Sequence, residues 1–281
     1  MKKIIGFLLL SSSILLSSDN IEKANKAYDS EDYKTAYNLY LKEIKNPVAQ
    51  YELATMYHDG KGVKKNLKKA IDLYSKSAQL GHTLSKVELG ILYVTGEGVN
   101  KDYKKAFQLF KEASKTGNDL ANYNLARMYW NGYGVKQDYA LALKHYKIAS
   151  DQGHMAATYA LASMLKEGQG IQKDLKLAYK LYKKSSKYIP WSSYSLAIAY
   201  LEGNEVIQKD IQKGMSYLVQ ATNQGDVVAM THLAQVYHHG LYGQKINPLK
   251  AMALYEKASK IYEKVAFTDS DLWHETIALS H

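Results

Sequence analysis

Apolar and small residues recur at helical spacing from residue 47 to about 262, and the whole pattern repeats every 36 residues or so. Leu53, Leu89, Leu125, Leu161, Leu196 and Leu233 are equivalent, and each is followed by Ala54, Gly90, Ala126, Ala162, Ala197 or Ala234. Four residues earlier stand Ala49, Ser85, Ala121, Ala157, Ser192 and Ala229. Four residues later come Tyr57, Tyr93, Tyr129, Leu165, Tyr200 and Tyr237. A second series holds Ala70, Ala106, Ala142, Ala178, Gly214 and Ala251, each followed at i+4 by Tyr74, Phe110, Tyr146, Tyr182, Leu218 or Tyr255. Positions i and i+4 share one helix face, and small residues alternating with large ones let neighbouring helices interlock. The pattern therefore predicts two helices per repeat, six times over.

The punctuation agrees. Gly60, Gly96, Gly132, Gly168, Gly203 and Gly240 end the first helix, and Gly62, Gly98, Gly134 and Gly170 follow two residues on in the first four repeats. Glycine just past a helix adopts the left-handed backbone that satisfies its last carbonyls. Asn66, Asp102, Asp138, Asp174, Asp210 and Asn247 then occupy one place in every repeat, where their side-chain oxygen caps the second helix. Gly81, Gly117, Gly153 and Gly225 close it.

The string Leu-(Ala/Gly)-x-x-Tyr-x-x-Gly-x-Gly-(Val/Ile)-x-x-Asx-x-x-x-Ala-x-x-x-Tyr resembles the Sel-1-like repeat, a relative of the tetratricopeptide repeat. The resemblance covers residues 47–262 and implies an all-α, right-handed α-solenoid of stacked antiparallel helix pairs. Repeat five departs from it, with Glu205 in place of the second glycine, an extra loop residue and Gly214 for the usual alanine. Repeat six carries an extra residue in His239-Gly240-Leu241-Tyr242-Gly243, and Ile189-Pro190 replaces a turn glycine. A looser or bent stack is expected there. Residues 19–46 read as a tetratricopeptide-like capping helix pair (Ala24, Ala27, Tyr28, Tyr33, Ala36, Tyr37, Tyr40), and residues 263–281 as a short closing segment.

Residues 1–18 have the order of a secretory signal: Lys2-Lys3, an apolar run from Ile4 to Leu16, then Ser17-Ser18. That run is shorter than the ~20 residues a spanning helix needs, so no membrane span is expected after cleavage. Export to the periplasm or beyond is the corresponding expectation. With no cysteine, disulfides, thiol catalysis and Cys-ligated metals are excluded. The chain carries 25 Tyr against 4 Phe and 3 Trp, which suits many half-buried helices and little deep core. The net charge of +10 is almost wholly lysine, because Arg127 is the sole arginine. A single arginine argues against base-specific nucleic-acid recognition. The lysine surplus reads first as a solvated helix surface and second as favouring an acidic partner.

Three sets of residues carry candidate chemistry. Cysteine-rich members of the family that the repeat resembles have been described as β-lactamases or penicillin binders, and three serine β-lactamase letter patterns occur here: Ser163-Met164-Leu165-Lys166, Ser18-Asp19-Asn20 and Lys115-Thr116-Gly117. Their order is wrong, Ser18-Asp19 straddles the expected cleavage point, and Lys115-Thr116-Gly117 is the turn that ends a repeat, so they read as coincidence. His232, His238 and His239 lie close in sequence, but a zinc site needs three or four converging ligands, and they read as surface or loop side chains. His145 replaces a repeat leucine and reads as a core variant. Tyr51, Tyr123, Tyr159 and Tyr194 stand two residues before the repeat leucine, with Val87 and Thr231 completing the series. They form either a ladder of aromatic anchors or packing between helices. The sequence thus points to a monomeric scaffold that binds protein or peptide on a concave face. It implies no cofactor, metal or catalytic residue, and β-lactam or cell-wall hydrolysis is the alternative.

Overall fold

In the computed structural model the described residues are 19–268, and the expected export segment 1–18 and the tail 269–281 lie outside them. The described residues are helical with no strand. Helix α1 covers 19–29, followed by α2 (Tyr33–Lys42), α3 (Pro47–Asp59), α4 (Leu67–Gln79), α5 (Thr83–Thr95), α6 (Tyr103–Ser114) and α7 (Asp119–Asn131). Then come α8 (Tyr139–Asp151), α9 (Met155–Glu167), α10 (Leu175–Ser185), α11 (Pro190–Glu202), α12 (Ile211–Asn223), α13 (Val227–His239) and α14 (Pro248–Thr268). A single 3₁₀ turn, Leu241–Gly243, precedes α14. Helix α14 runs unbroken to Thr268, past the end of the sixth repeat expected at residue 262.

The chain divides into two compact units, with the boundary between His145 and Tyr146 inside α8. In the first, α3 packs on α4 and α5 on α6; in the second, α9 packs on α10, α11 on α12 and α13 on α14. Within each unit successive helices pack in pairs, the arrangement of an α-solenoid. Its interior is a series of small clusters. One joins Ala24, Ala36 and Tyr40 to Ala49, Leu53 and Met56, and another joins Ala54, Ala70 and Tyr74 to Leu89 and Leu92. In the second unit Ala197, Leu201 and Leu218 meet Ala229, Leu233 and Val236. All six repeat leucines are buried, as are their small neighbours.

The second-helix caps form at every repeat. The Asx oxygen accepts from the N–H three residues on, at 3.0 Å for Asn66, 2.9 Å for Asp102, Asp138 and Asp174, and 3.0 Å for Asp210 and Asn247. The same six residues donate their own N–H to the carbonyl of the repeat Tyr (Leu165 in repeat four) at 2.8–2.9 Å. That bond spans nine residues in the first four repeats and ten in the last two, so the extra residue bulges out of the loop and leaves the cap in place.

In repeat five Asn204 stands in for the lost glycine, its Oδ1 accepting from Val206 and Ile207 at 2.9 Å. Gly203 takes φ 77°, ψ 161° there, whereas the other five helix-ending glycines are left-handed. In repeat six both Tyr242 and Gly243 have positive φ, 54° and 72°.

Two glycines answer to packing. A Cβ on Gly90 would lie 2.5 Å from Phe110 Cε1, and one on Gly214 would lie 2.6 Å from Leu201 Cγ. The alanine of the other repeats cannot fit at Gly214, because Leu201 occupies its place.

Many lysines also have a partner. Lys69, Lys105, Lys213 and Lys250, each three residues after a cap, sit 4.3–5.6 Å from the ring centroids of Tyr57, Tyr93, Tyr200 and Tyr237. Such contacts contribute ~0.5–1 kcal/mol each at exposed sites.

Candidate functional site

The first helices carry the tyrosine series, and each unit uses it differently. In the first unit Tyr51 on α3 is half-buried against Tyr74 and His82, at 5.8 and 4.9 Å between ring centroids. Burial, then the charges of Glu88 and Glu52, push its hydroxyl up to about 12. Tyr123 on α7 is half-buried beneath Arg127, whose guanidinium lies 5.8 Å from the ring.

In the second unit Tyr159 on α9 and Tyr194 on α11 line one cavity of about 60 Å³, which three consecutive repeats enclose. Trp191 of α11 completes its aromatic wall, 5.7 Å from Tyr159. Tyr159 is 5 % exposed and also packs on Tyr182 of α10, at 5.7 Å. Burial raises both Tyr159 and Tyr182 well above the ordinary phenol range. The space suits a small polar head, on the order of four waters.

Asp226 lines the same cavity and is 4 % exposed. It caps α13: Oδ1 accepts from the Ala229 N–H at 2.7 Å, and the Val228 N–H also faces the carboxylate. Oδ2 is buried with no hydrogen-bond partner. Burial raises the carboxyl, and the two backbone N–H groups only partly offset this. Its charge in turn raises the hydroxyls of Tyr159 and Tyr194, after burial and, for Tyr159, the neighbouring Tyr182. Asp226 stands seven residues before a repeat leucine, where the other repeats have Asn46, His82, Asn118, His154 and Ile189. The first four cap their helices with a neutral acceptor, and Ile189 makes no side-chain cap. Sequence reasoning missed this series, and its register to the leucines was the available signal.

Ser163 and Lys166, one turn apart on α9, also line the cavity. The Ser163 and Ser195 hydroxyls both face that of Tyr182, and Lys166 Nζ pairs with Glu167 at 3.2 Å. The other two patterns lie elsewhere. Asp19 and Asn20 belong to α1, where Asn20 bonds Glu43 at 2.7 Å, and Thr116 closes the turn after α6 by donating to the Ala113 carbonyl at 2.9 Å.

His232 is half-buried and touches the Tyr194 hydroxyl at 3.4 Å, while His238 and His239 pair edge to face at the end of α13. No group of three or more His, Asp or Glu among the described residues is placed to hold a metal ion. His145 packs flat on Tyr129, with Nδ1 2.9 Å from Asn122 Oδ1, and burial lowers it. No described helix is long and apolar enough to cross a membrane.

Stacked helix pairs with glycine-ended first helices and Asx-capped second helices define a helical repeat protein. The Sel1 repeat model matches six times, at residues 47–82, 84–118, 119–154, 156–187, 192–226 and 227–260, and the chain belongs to the Sel1 repeat family. It is similar in structure to a Sel1 repeat protein from Oxalobacter formigenes, with 26 % identity over 85 % of this chain and 96 % of that one, at a TM-score of 0.82. It is also similar to c5321, a protective antigen of uropathogenic Escherichia coli that displays an SLR fold, with 25 % identity and a TM-score of 0.73. That match covers 87 % of this chain but only 53 % of c5321, so the chain spans about half of that antigen's length. The sequence matches none of the curated proteins with which it was compared.

Proposed function

We propose that this chain is an exported, monomeric scaffold that binds a protein or peptide partner on the concave side lined by the first helices of its repeats. The observation that carries the reading is the cavity in the second unit. Most residues shared between repeats serve caps, turns and packing, whereas the cavity combines repeat tyrosines (Tyr159, Tyr182 and Tyr194) with residues that differ between repeats: Trp191, Ser195, Asp226 and Lys166. Membership of a repeat family whose members commonly mediate protein–protein interaction supports it. The charge–apolar–small order of residues 1–18 supports export to the periplasm or beyond, and the lysine surplus favours a partner of net negative charge. A pull-down from envelope extract with the tagged chain is expected to retain a defined partner that is lost in Trp191→Ala. Recovery of nonspecific anionic material alone would overturn the reading.

A second reading, hydrolysis of β-lactams or cell wall, has one observation in its favour, the shared cavity of Ser163 and Lys166. The hydroxyl of Ser163 is engaged by Tyr182, Lys166 is paired with Glu167, and the space is small for a bicyclic ring. Nitrocefin turnover that disappears in Ser163→Ala would replace the scaffold reading. No turnover is expected.

A further inference from the structure

The cavity poses a problem of charge. A carboxylate buried away from water is costly unless it is paired. Asp226 offers one oxygen to the N-terminus of α13 and leaves Oδ2 without a partner. Capping does not require the charge, because asparagine caps a helix as well as aspartate does, and Asn46 and Asn118 do so at the same position in other repeats. The cation of this chain that borders the cavity, Lys166, is paired with Glu167 and does not neutralise Asp226. The fold therefore keeps an ionisable carboxyl where a neutral side chain would serve its structure better.

The walls answer the question of what the carboxyl is for. Tyr159, Trp191 and Tyr194 surround the same space, and aromatic faces attract ammonium groups, more strongly once water is removed. We infer that this cavity is a subsite for the alkylammonium end of a lysine side chain presented by the partner, with Asp226 as its counter-ion and the three aromatic rings as its cage. The inference rests on the protein-binding reading and supplies its chemistry. A cavity of about 60 Å³ accommodates an ammonium head and its last methylenes, and little more. Oδ2 has no exposed surface, so binding of the ammonium there requires a local shift of the cavity wall. Glu167 and Asp226 outnumber Lys166 in the cavity lining, whereas the chain is positive overall.

The test uses the full chain and n-butylammonium as probe, followed by the indole N–H resonance of Trp191, which Trp191→Phe assigns. A saturable shift with butylammonium is expected, with n-butanol and butyrate producing none. Asp226→Asn keeps the cap acceptor and is expected to weaken binding at least tenfold, with a Tm equal to or above that of the parent. Asp226→Ser, which also caps, repeats the measurement independently. A loss of less than tenfold in a folded variant, or an equal response to butanol, overturns the inference. The two readings fail separately. A captured partner that binds parent and Asp226→Asn equally removes the ammonium subsite and leaves the scaffold. Butylammonium binding with no partner retained removes the scaffold alone.

Discussion

Single titratable residues in this chain are set by burial, and their signs oppose one another. His82 caps α5 through an unprotonated Nδ1, which accepts from the Ser85 N–H at 3.3 Å, and burial lowers its pKa below the ordinary 6.5. A histidine with a depressed pKa in the folded state contributes stability above pH ~6.5 that is lost as pH falls through the folded value. His82→Asn keeps an acceptor and does not titrate, so the drop in Tm between pH 7.5 and 5 should be smaller in the variant than in the parent. Glu52 and Glu88 behave in the opposite sense. Burial raises both, with Asp29 adding to Glu52 and Asp59 to Glu88, while His58 offsets part of the rise at Glu88. Their contribution is full below the ordinary carboxylate range and is lost as pH rises through the raised values. Glu88→Gln should therefore raise Tm at pH 7 and leave it nearly unchanged at pH 4. Thermal melts followed by circular dichroism at these four pH values check both expectations.

At the scale of elements, the helix ends were legible from the sequence because they depend on local chemistry. An Asx residue at a helix start and a glycine at a helix end act through bonds to residues three to five away, so a repeating letter reports them. Asp174→Ala should cost about 1 kcal/mol, and Asp174→Asn close to nothing, as read by amide exchange in the first turn of α10. Gly134 is stricter. Its φ is +67°, and a Cβ there would fall on the Tyr103 carbonyl, so Gly134→Ala should destabilise more than any cap variant, by several kcal/mol. Gly90→Ala should cost roughly 1–3 kcal/mol through Phe110, and Phe110→Leu in the same chain should recover part of that loss. A double-mutant cycle by chemical denaturation measures the recovery. The first-helix caps were not legible in the same way. Asn46, His82, Asn118, His154 and Asp226 share a role without sharing a letter, Ile189 at the same position makes no side-chain cap, and a histidine cap is seen only once its ring nitrogen is placed. The added loop residue of the fifth and sixth repeats leaves the bond from Asp210 or Asn247 to the preceding tyrosine carbonyl in place.

For the whole molecule, the repeat count and the helix pairs could be read from periodicity, whereas the cavity could not. Its lining comes from three repeats, and the burial of Asp226 depends on Tyr194, Trp191 and Tyr159 arriving together. The tyrosine series was visible as a column of letters, but only the packing separates Tyr51 against His82 from Tyr159 beside a cavity. Because each repeat touches only its neighbours, damage should stay local. Gly90→Ala should lower amide protection in α5 and α6 and leave that of residues 190–260 within experimental error.

The nine- or ten-residue loops, each tied off by one backbone bond, also make the chain easy to edit. The segment between Gly203 and Lys209 already tolerates one added residue, so its length is not read by the helices on either side. A short peptide inserted there would hang from the surface like a label on a string. Repeat proteins of this design can thus acquire new surface sequence one loop at a time, without renegotiating the architecture that displays it.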